Sequence, residues 1–261
     1  MNDMQKRGAI KTVAALFTCA IALAPARAQD SAARDNAARA ESAVRRMEEN
    51  QTFSTSVTKL KLDVANSFGV TSNEFTTYSR KGGDVLVVIT AGPDRGQKVL
   101  RQKGNIYLYY PDAEEVIWLK GSALKDSIMG SDFSYEDLTD EGTVTDRYAV
   151  AYVGDETLDG SPCIRVTLTA RTRNETYAKQ ELWIDARLFV ARKTILYSAS
   201  GKAMRQLLSD DIRSVSGKNA AFANVMKDLL KKNSETKMTI VSMEVGNPIP
   251  AKYFNREELS W

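Results

Sequence analysis

From Thr52 onward, hydrophobic and polar positions alternate with a period of two; before it they do not. Residues 30–49 are rich in Ala, Arg and Glu and hold no Gly or Pro. Within them Ala37, Ala40, Val44 and Met47 recur at three- and four-residue steps, which predicts one amphipathic helix capped by Asp30 or Ser31. Then Leu60, Leu62 and Val64 alternate with Lys59, Lys61 and Asp63, the mark of a half-buried strand. Val85 to Ile89 is a continuous apolar run, which suits a strand covered on both faces. Further strands are expected over 97–102, 105–110, 115–120, 147–153, 162–170, 179–184, 188–197, 204–212 and 237–245. Gly92-Pro93-Asp94-Arg95-Gly96, Pro111-Asp112-Ala113, Asp159-Gly160 and Ser200-Gly201 supply turns between them. Strands at steps of roughly ten residues with short turns predict a large antiparallel sheet. The lack of a strand–helix–strand alternation argues against a parallel, dinucleotide-binding sheet. Two stretches interrupt the pattern. Ser122 to Met129 is helix-compatible, and Ala220 to Lys232 is helical by propensity.

The start of the chain reads as a secretory signal. Lys6, Arg7 and Lys11 precede an apolar run, Thr12 to Ala24, and Pro25-Ala26-Arg27-Ala28 offers a cleavage site after Ala28. The run is too short for a permanent membrane span, and Leu16-Phe17-Thr18-Cys19 is not a lipidation motif. The expected organisation is therefore a cleaved signal, 1–28, and a single exported domain, 29–261. The chain has 36 basic and 33 acidic residues. Four of the basic and one of the acidic residues lie in 1–28, so the mature part is neutral. A nucleic-acid binder shows a basic excess on one face; the sequence offers only the short Lys231-Lys232 pair. Cys163 is the only cysteine after the signal and sits in a strand-like run, where a buried thiol is expected.

Candidate chemistry is sparse. No histidine is present, which removes Ser-His-Asp and Cys-His catalysis and the common zinc sites. Nucleophile-elbow and phosphate-loop motifs are absent as well. Asp132, Glu136, Asp137, Asp140 and Glu141 form an acidic cluster. Two of them could in principle serve as a glycosidase pair, but capping and solvated carboxylates are the simpler reading. The spacing is wrong for a calcium loop. The reading is of a protein without catalytic residues, metal or cofactor. Aromatic residues crowd the strand region. They fit either a filled core or a sheet curved about an apolar cavity, and periodicity does not separate the two.

Tyr107-Leu108-Tyr109-Tyr110-Pro111, Trp118, Gly160-Ser161-Pro162-Cys163 and Tyr177 to Asp185 accompany a longer run, Met129-Gly130-Ser131-Asp132-Phe133-Ser134-Tyr135-Glu136-Asp137-Leu138. With these the chain from Asp30 onward resembles the outer-membrane lipoprotein-sorting family of LolA-like fold, and within it the periplasmic branch with the MGSDFSYEDL signature. The resemblance implies a mainly β (α+β) fold: a large curved antiparallel sheet or half-open β-barrel, with an N-terminal helix and short lid helices. It implies a strand and turn, rather than a helix, at 220–232. It implies a periplasmic carrier that binds acyl chains of a lipid or lipoprotein in an apolar cavity and moves them between membranes. An inner-membrane exporter of the resistance–nodulation–division type is an implied companion, along with transient membrane contact and no nucleic acid. The alternative implied function is a periplasmic sensor that uses the same fold to bind a protein partner. Alternation and aromatic content select Leu60, Leu62, Val64, Leu86, Val88, Leu108, Trp118, Ile164, Val166, Leu168 and Trp183 as the expected lining. Gly130, Ser131, Asp132, Phe133, Tyr135 and Asp137 form the signature loop. The arginine that latches the lid in lipoprotein-accepting relatives has no counterpart recognisable in the sequence.

Overall fold

The computed structural model describes residues 24–138 and 143–260. Most of the expected signal, including Cys19, and the acidic residues Asp140 and Glu141 lie outside the described residues. Helix α1 spans Ala24–Gln51. The part up to Asp35 is exposed from Ser31 on. From Asn36 the helix buries Ala40, Ala43, Val44 and Met47, a stripe at three- and four-residue steps. Ala37, expected in that stripe, is exposed, and Ala43 takes its place.

Among the described residues, thirteen strands form one antiparallel sheet. They are β1 (Thr55–Asn66), β2 (Gly69–Arg80), β3 (Val85–Ala91), β4 (Lys98–Gln102), β5 (Asn105–Tyr110), β6 (Glu115–Leu119), β7 (Tyr148–Leu158), β8 (Ser161–Ala170), β9 (Lys179–Asp185), β10 (Ala191–Tyr197), β11 (Ala203–Val215), β12 (Lys218–Asp228) and β13 (Glu235–Val245). The order is β6-β5-β4-β3-β2-β1-β13-β12-β11-β10-β9-β8-β7. Two meanders thus meet where β1 pairs with β13, and the edges are β6 and β7. The connection from β6 to β7 must run from one edge of the sheet to the other. At about 4.8 Å per strand that is nearly 60 Å measured along the sheet.

Strand β2 is not legible as alternation, because its only buried large apolar residue is Phe75, amid Thr and Ser. Pairing with β1 along its whole length, from Thr55↔Arg80 to Asn66↔Gly69, fixes it. Ala220 to Asp228 is strand, as the resemblance implies: β11 and β13 pair with β12 on both sides and override its alanine-rich helical propensity. Strand β10 starts at Ala191 rather than Leu188, because Asp185 to Val190 turns, with Phe189 at φ 52°. Asp159 and Gly160 both take positive φ, the geometry of a two-residue hairpin. Gly92, at φ +105°, is irreplaceable sterically, since a β-carbon there would lie 2.3 Å from Asn73 Oδ1.

Three apolar clusters hold the fold. The α1 stripe packs on Tyr148, Ile164, Val166, Leu168, Leu182 and Ile184 of β7–β9. Leu60, Leu62, Val64, Phe75, Val87, Val99, Ile106 and Leu108 form a second cluster on β1–β5. The opposite face of β3–β5 carries Leu86, Leu100, Tyr107 and Tyr109, which are covered by Leu259 and Tyr253 near the C-terminus. Gln102 Nε2 donates to Phe254 O and Lys98 Nζ to Leu259 O, fastening that cover. Val85–Ile89 is thus covered on both faces, as its unbroken apolar run requires.

A buried charge closes the β9–β10 turn. Asp185 accepts from the Arg187 and Leu188 N–H groups, both at 2.9 Å, and from Arg192 Nε and Nη2 at 3.1 and 3.0 Å. Burial by itself would raise the Asp185 carboxyl, but those two N–H groups and Arg192 outweigh it and hold it below the usual carboxylate range. The folded value is below the unfolded one, so this stabilisation is present above about pH 4 and is lost as pH falls through the folded value. Asp185→Asn is expected to lower stability at pH 7 by about 2 kcal/mol and to shrink the loss between pH 7 and pH 3. Urea unfolding at both pH values checks this; an unchanged pH dependence contradicts it.

Candidate functional site

Strand register traces one continuous inner face. Tyr152, Val166 and Leu182 stand opposite one another across β7, β8 and β9; Leu182 faces Thr194 of β10, and Thr194 faces Leu207 of β11. Leu207 then faces Met226, Met226 faces Thr236, and Thr236 faces Val64. The face therefore joins the cluster under α1 to the cluster on β1–β5.

Residues 121–138, which follow β6, lie over this face. Their 3-10 turns at Gly121–Lys125, Ile128–Gly130 and Tyr135–Leu138 are short, and Leu124, Met129, Phe133 and Tyr135 pack into the β1–β5 cluster. Burial pushes the Tyr135 phenol up to about 12. Met129 and Gly130 take φ of 50° and 69°, a reversal that glycine tolerates best. The loop closes on itself through Ile128 N–H to Phe133 O at 2.9 Å and Phe133 N–H to Ser131 Oγ at 3.1 Å.

Two polar clamps fasten this lid to the sheet. In the first, Asp132 is buried: Ser234 Oγ donates to its Oδ1 at 2.5 Å, Thr236 Oγ1 to its Oδ2 at 3.1 Å, and its own N–H to Thr236 Oγ1 at 2.8 Å. In the second, Asp137 caps the 3-10 turn by accepting from Ser134 N–H at 2.7 Å. Its carboxylate also receives Arg205 Nη1 at 2.5 Å and Tyr177 OH at 2.8 Å, while Arg205 donates to Tyr177 OH at 2.9 Å. Arg205 is on β11 and Tyr177 just before β9, so the second clamp ties the lid to the other meander. Arg205 ties Asp137 to β11, a contact that sequence reading did not find. Its signal was a basic residue, Met204-Arg205-Gln206-Leu207, on the inward phase of an amphipathic strand. Asp132 and Asp137 of the signature act as structural anchors here.

Between the two inner-face clusters a strip is half covered. Leu207 and Ser209 of β11, Asn224 of β12 and Met238 and Ile240 of β13 line it, around buried Met226. Ser209 Oγ donates to Asn224 Oδ1 at 2.9 Å, leaving the rest of the strip apolar. Of the expected lining, Leu60, Leu62, Val64 and Leu108 sit together in the β1–β5 cluster, and Ile164, Val166 and Leu168 in the α1 cluster. All seven face inward. Leu86 and Val88 are on the opposite face, against the C-terminal cover. Trp118 is half exposed beside Tyr107 on that same outer face, 6.1 Å between ring centroids. Trp183 also faces away from the α1 cluster: its Nε1 donates to Glu156 Oε2 at 2.6 Å, between Arg165 and Lys193. Aromatic content, used to choose these two tryptophans, carries no information about which face a residue takes. Cys163 is buried, and burial first of all raises its thiol, as expected of a structural cysteine.

A separate polar cavity of about 250 Å³ adjoins the end of α1. Its groups are engaged in fastening the helix: Asn50 Nδ2 donates to Leu188 O, and Lys218 Nζ to Glu49 O. Among the described residues, no group of three or more His, Cys, Asp or Glu side chains could hold a metal, and no helix is long and apolar enough to cross a membrane.

Solved structures share this architecture. A domain from Vibrio parahaemolyticus described as an outer membrane lipoprotein-sorting protein superposes with TM-score 0.75 at 18% identity, covering 85% of this chain and 100% of its own. A DUF1329 family protein from Desulfovibrio piger gives 0.77 at 21%, covering 87% and 98%. A LolA superfamily protein from Nitrosomonas europaea gives 0.69 at 20%, covering 84% and 98%. No curated protein matches the chain. A family model described as "Uncharacterized protein" matches residues 82–261. The chain belongs to that family, and its large antiparallel sheet with an N-terminal helix has the LolA-like fold.

Proposed function

We propose that the chain is a periplasmic carrier, not an enzyme: residues 29–261 take up the acyl chains of a lipid or lipoprotein on the inner face and carry them between membranes. The observation that carries this reading is the way the inner face is covered. A continuous apolar surface lies under a lid of short turns whose signature loop is fastened by two polar clamps, Asp132–Thr236–Ser234 and Asp137–Arg205–Tyr177. Hydrogen bonds of this kind contribute only about 0.5–1.5 kcal/mol each, or somewhat more with charge, because water replaces them on opening. An acyl chain in water costs about 0.8 kcal/mol per CH₂, so a chain of some fifteen such groups gains about 12 kcal/mol at most by entering a dry interior. The ligand's gain exceeds what the clamps hold and offsets part of the apolar packing of the lid, and no catalytic group is needed. The description of the Vibrio domain as lipoprotein-sorting supports the same reading. Delivery from an inner-membrane exporter would supply the cargo, with donor and acceptor on the two membranes.

Titration of delipidated protein with a fluorescent fatty acid tests uptake. Saturable binding is expected, and Leu207→Glu should weaken it at least about tenfold, since a carboxylate in the strip must be desolvated. Lys61→Glu, on the opposite face of β1, should leave it unchanged. Absence of saturable binding in the wild type sinks the reading.

A second test addresses the clamp. Arg205→Met removes the cation that joins Asp137 to β11. Amide exchange over residues 127–137 should accelerate about five- to tenfold while exchange in β1 and β8 stays slow. The same variant should release bound fatty acid faster. If exchange in the lid is unchanged, Arg205 does not hold it.

A further inference from the structure

We propose that the turns joining β1 to β2 and β12 to β13 form one docking site for an anionic phospholipid surface. The inference rests on the carrier reading for its purpose but on separate observations. Ala65 pairs with Glu235 and Asn66 with Gly69, so the turns at 66–69 and 229–234 lie side by side at one end of the sheet. Ten large apolar residues are exposed among the described residues, and four of them are here: Phe68 at 98%, Val70 at 68%, Leu229 at 45% and Leu230 at 48%. Asn66 Oδ1 accepts from Phe68 N–H at 2.8 Å and Asp228 Oδ1 from Leu230 N–H at 2.9 Å, so both tips are ordered turns that hold these side chains outward. Apolar side chains kept in water at a tip, next to one another, are the pattern of an interaction site.

The occupant follows from shape and charge. The apolar groups stand on projecting tips and line no groove, and Phe68 has almost no protein surface against it. A bilayer interface receives such side chains without a matching pocket, whereas a protein partner would have to supply one. Lys231 and Lys232 follow the two leucines directly. Glu235 is neutralised by Lys227 at 2.8 Å and Asp228 by Lys231 at 3.7 Å, while Lys232 makes no ion pair among the described residues. Lys231 also lies 3.9 Å from Asp132, so the apolar tip is flanked by one cation left unpaired among the described residues, Lys232, which suits anionic headgroups. Its place in the fold ties it to the lid. Ser234, from the same turn, donates to Asp132, and Arg205, which holds Asp137, pairs in register with Asp228 at the foot of the turn. A docked protein therefore sets both clamps at the bilayer surface, where cargo would enter or leave.

Co-sedimentation with vesicles containing phosphatidylglycerol tests this. The wild type should bind, and binding should weaken as salt is raised. Phe68→Ser combined with Leu229→Ser and Leu230→Ser should reduce vesicle partitioning at least about tenfold. Lys232→Glu should reduce it less and flatten the salt dependence. Circular dichroism and fatty-acid binding in solution should be unchanged in the triple variant, because the substituted side chains are exposed. Equal sedimentation of the triple variant and the wild type overturns the proposal, as does binding only to vesicles that carry a membrane protein. Loss of vesicle binding in the triple variant, in a protein that takes up no fatty acid, would uphold the docking site and reject the carrier reading.

Discussion

One apolar face running across most of a thirteen-strand sheet has to be covered, and this requirement shapes the rest of the molecule. A single helix covers a width of about two to three strands. Helix α1 accordingly packs mainly on β7–β9. The remainder falls to whatever chain is available. Because β1 pairs with β13, the sheet's edges are β6 and β7, and the described chain that follows β6, residues 121–138, packs on the inner face. The need for a connection between the two edges follows from how the meanders join; its place on the inner face follows from the apolar side chains it carries.

What the topology does not dictate is how firmly that crossing is held. Phe133 and Tyr135 supply apolar packing on one side only, over β1–β5. On the side of β11 the lid meets the sheet through Asp137 and Arg205, and over β13 through Asp132 and Thr236. A buried charge pair is specific in geometry but modest in net stability, since desolvation offsets most of its attraction. The combination fits a cover that returns to one closed position yet can be displaced. The outer face follows the opposite logic. There Leu86, Leu100 and Leu259 are fully buried, and the C-terminal segment forms a permanent part of the core.

The fold was largely legible because alternation reports burial directly. Leu60-Lys61-Leu62-Asp63-Val64 could be nothing but a strand with one face inward, and the paired turns set an antiparallel order. Strand β2 was hidden because its inner side offers Phe75 and little else, and β12 because alanines prefer helix when nothing pairs with them. The site was legible in part. Periodicity found the seven inward-facing residues, but Leu86 and Val88 lie in a run buried on both sides, where alternation is silent, and Trp118 and Trp183 turn outward to meet cations. The signature loop was visible as a motif, while its partners were not. Thr236, Ser234, Arg205 and Tyr177 lie 40 to 104 residues away from the carboxylates they hold, and only strand register brings them together.

The central claim is that the covered inner face is a binding surface and not a sealed core. Native mass spectrometry of the delipidated protein after incubation with phospholipid vesicles and removal of the vesicles addresses it most directly. The account predicts a non-covalent adduct of one acyl-bearing molecule per chain, diminished when Leu207 is replaced by Glu. A spectrum that shows only the free chain at every lipid concentration, with the fold intact, would contradict it.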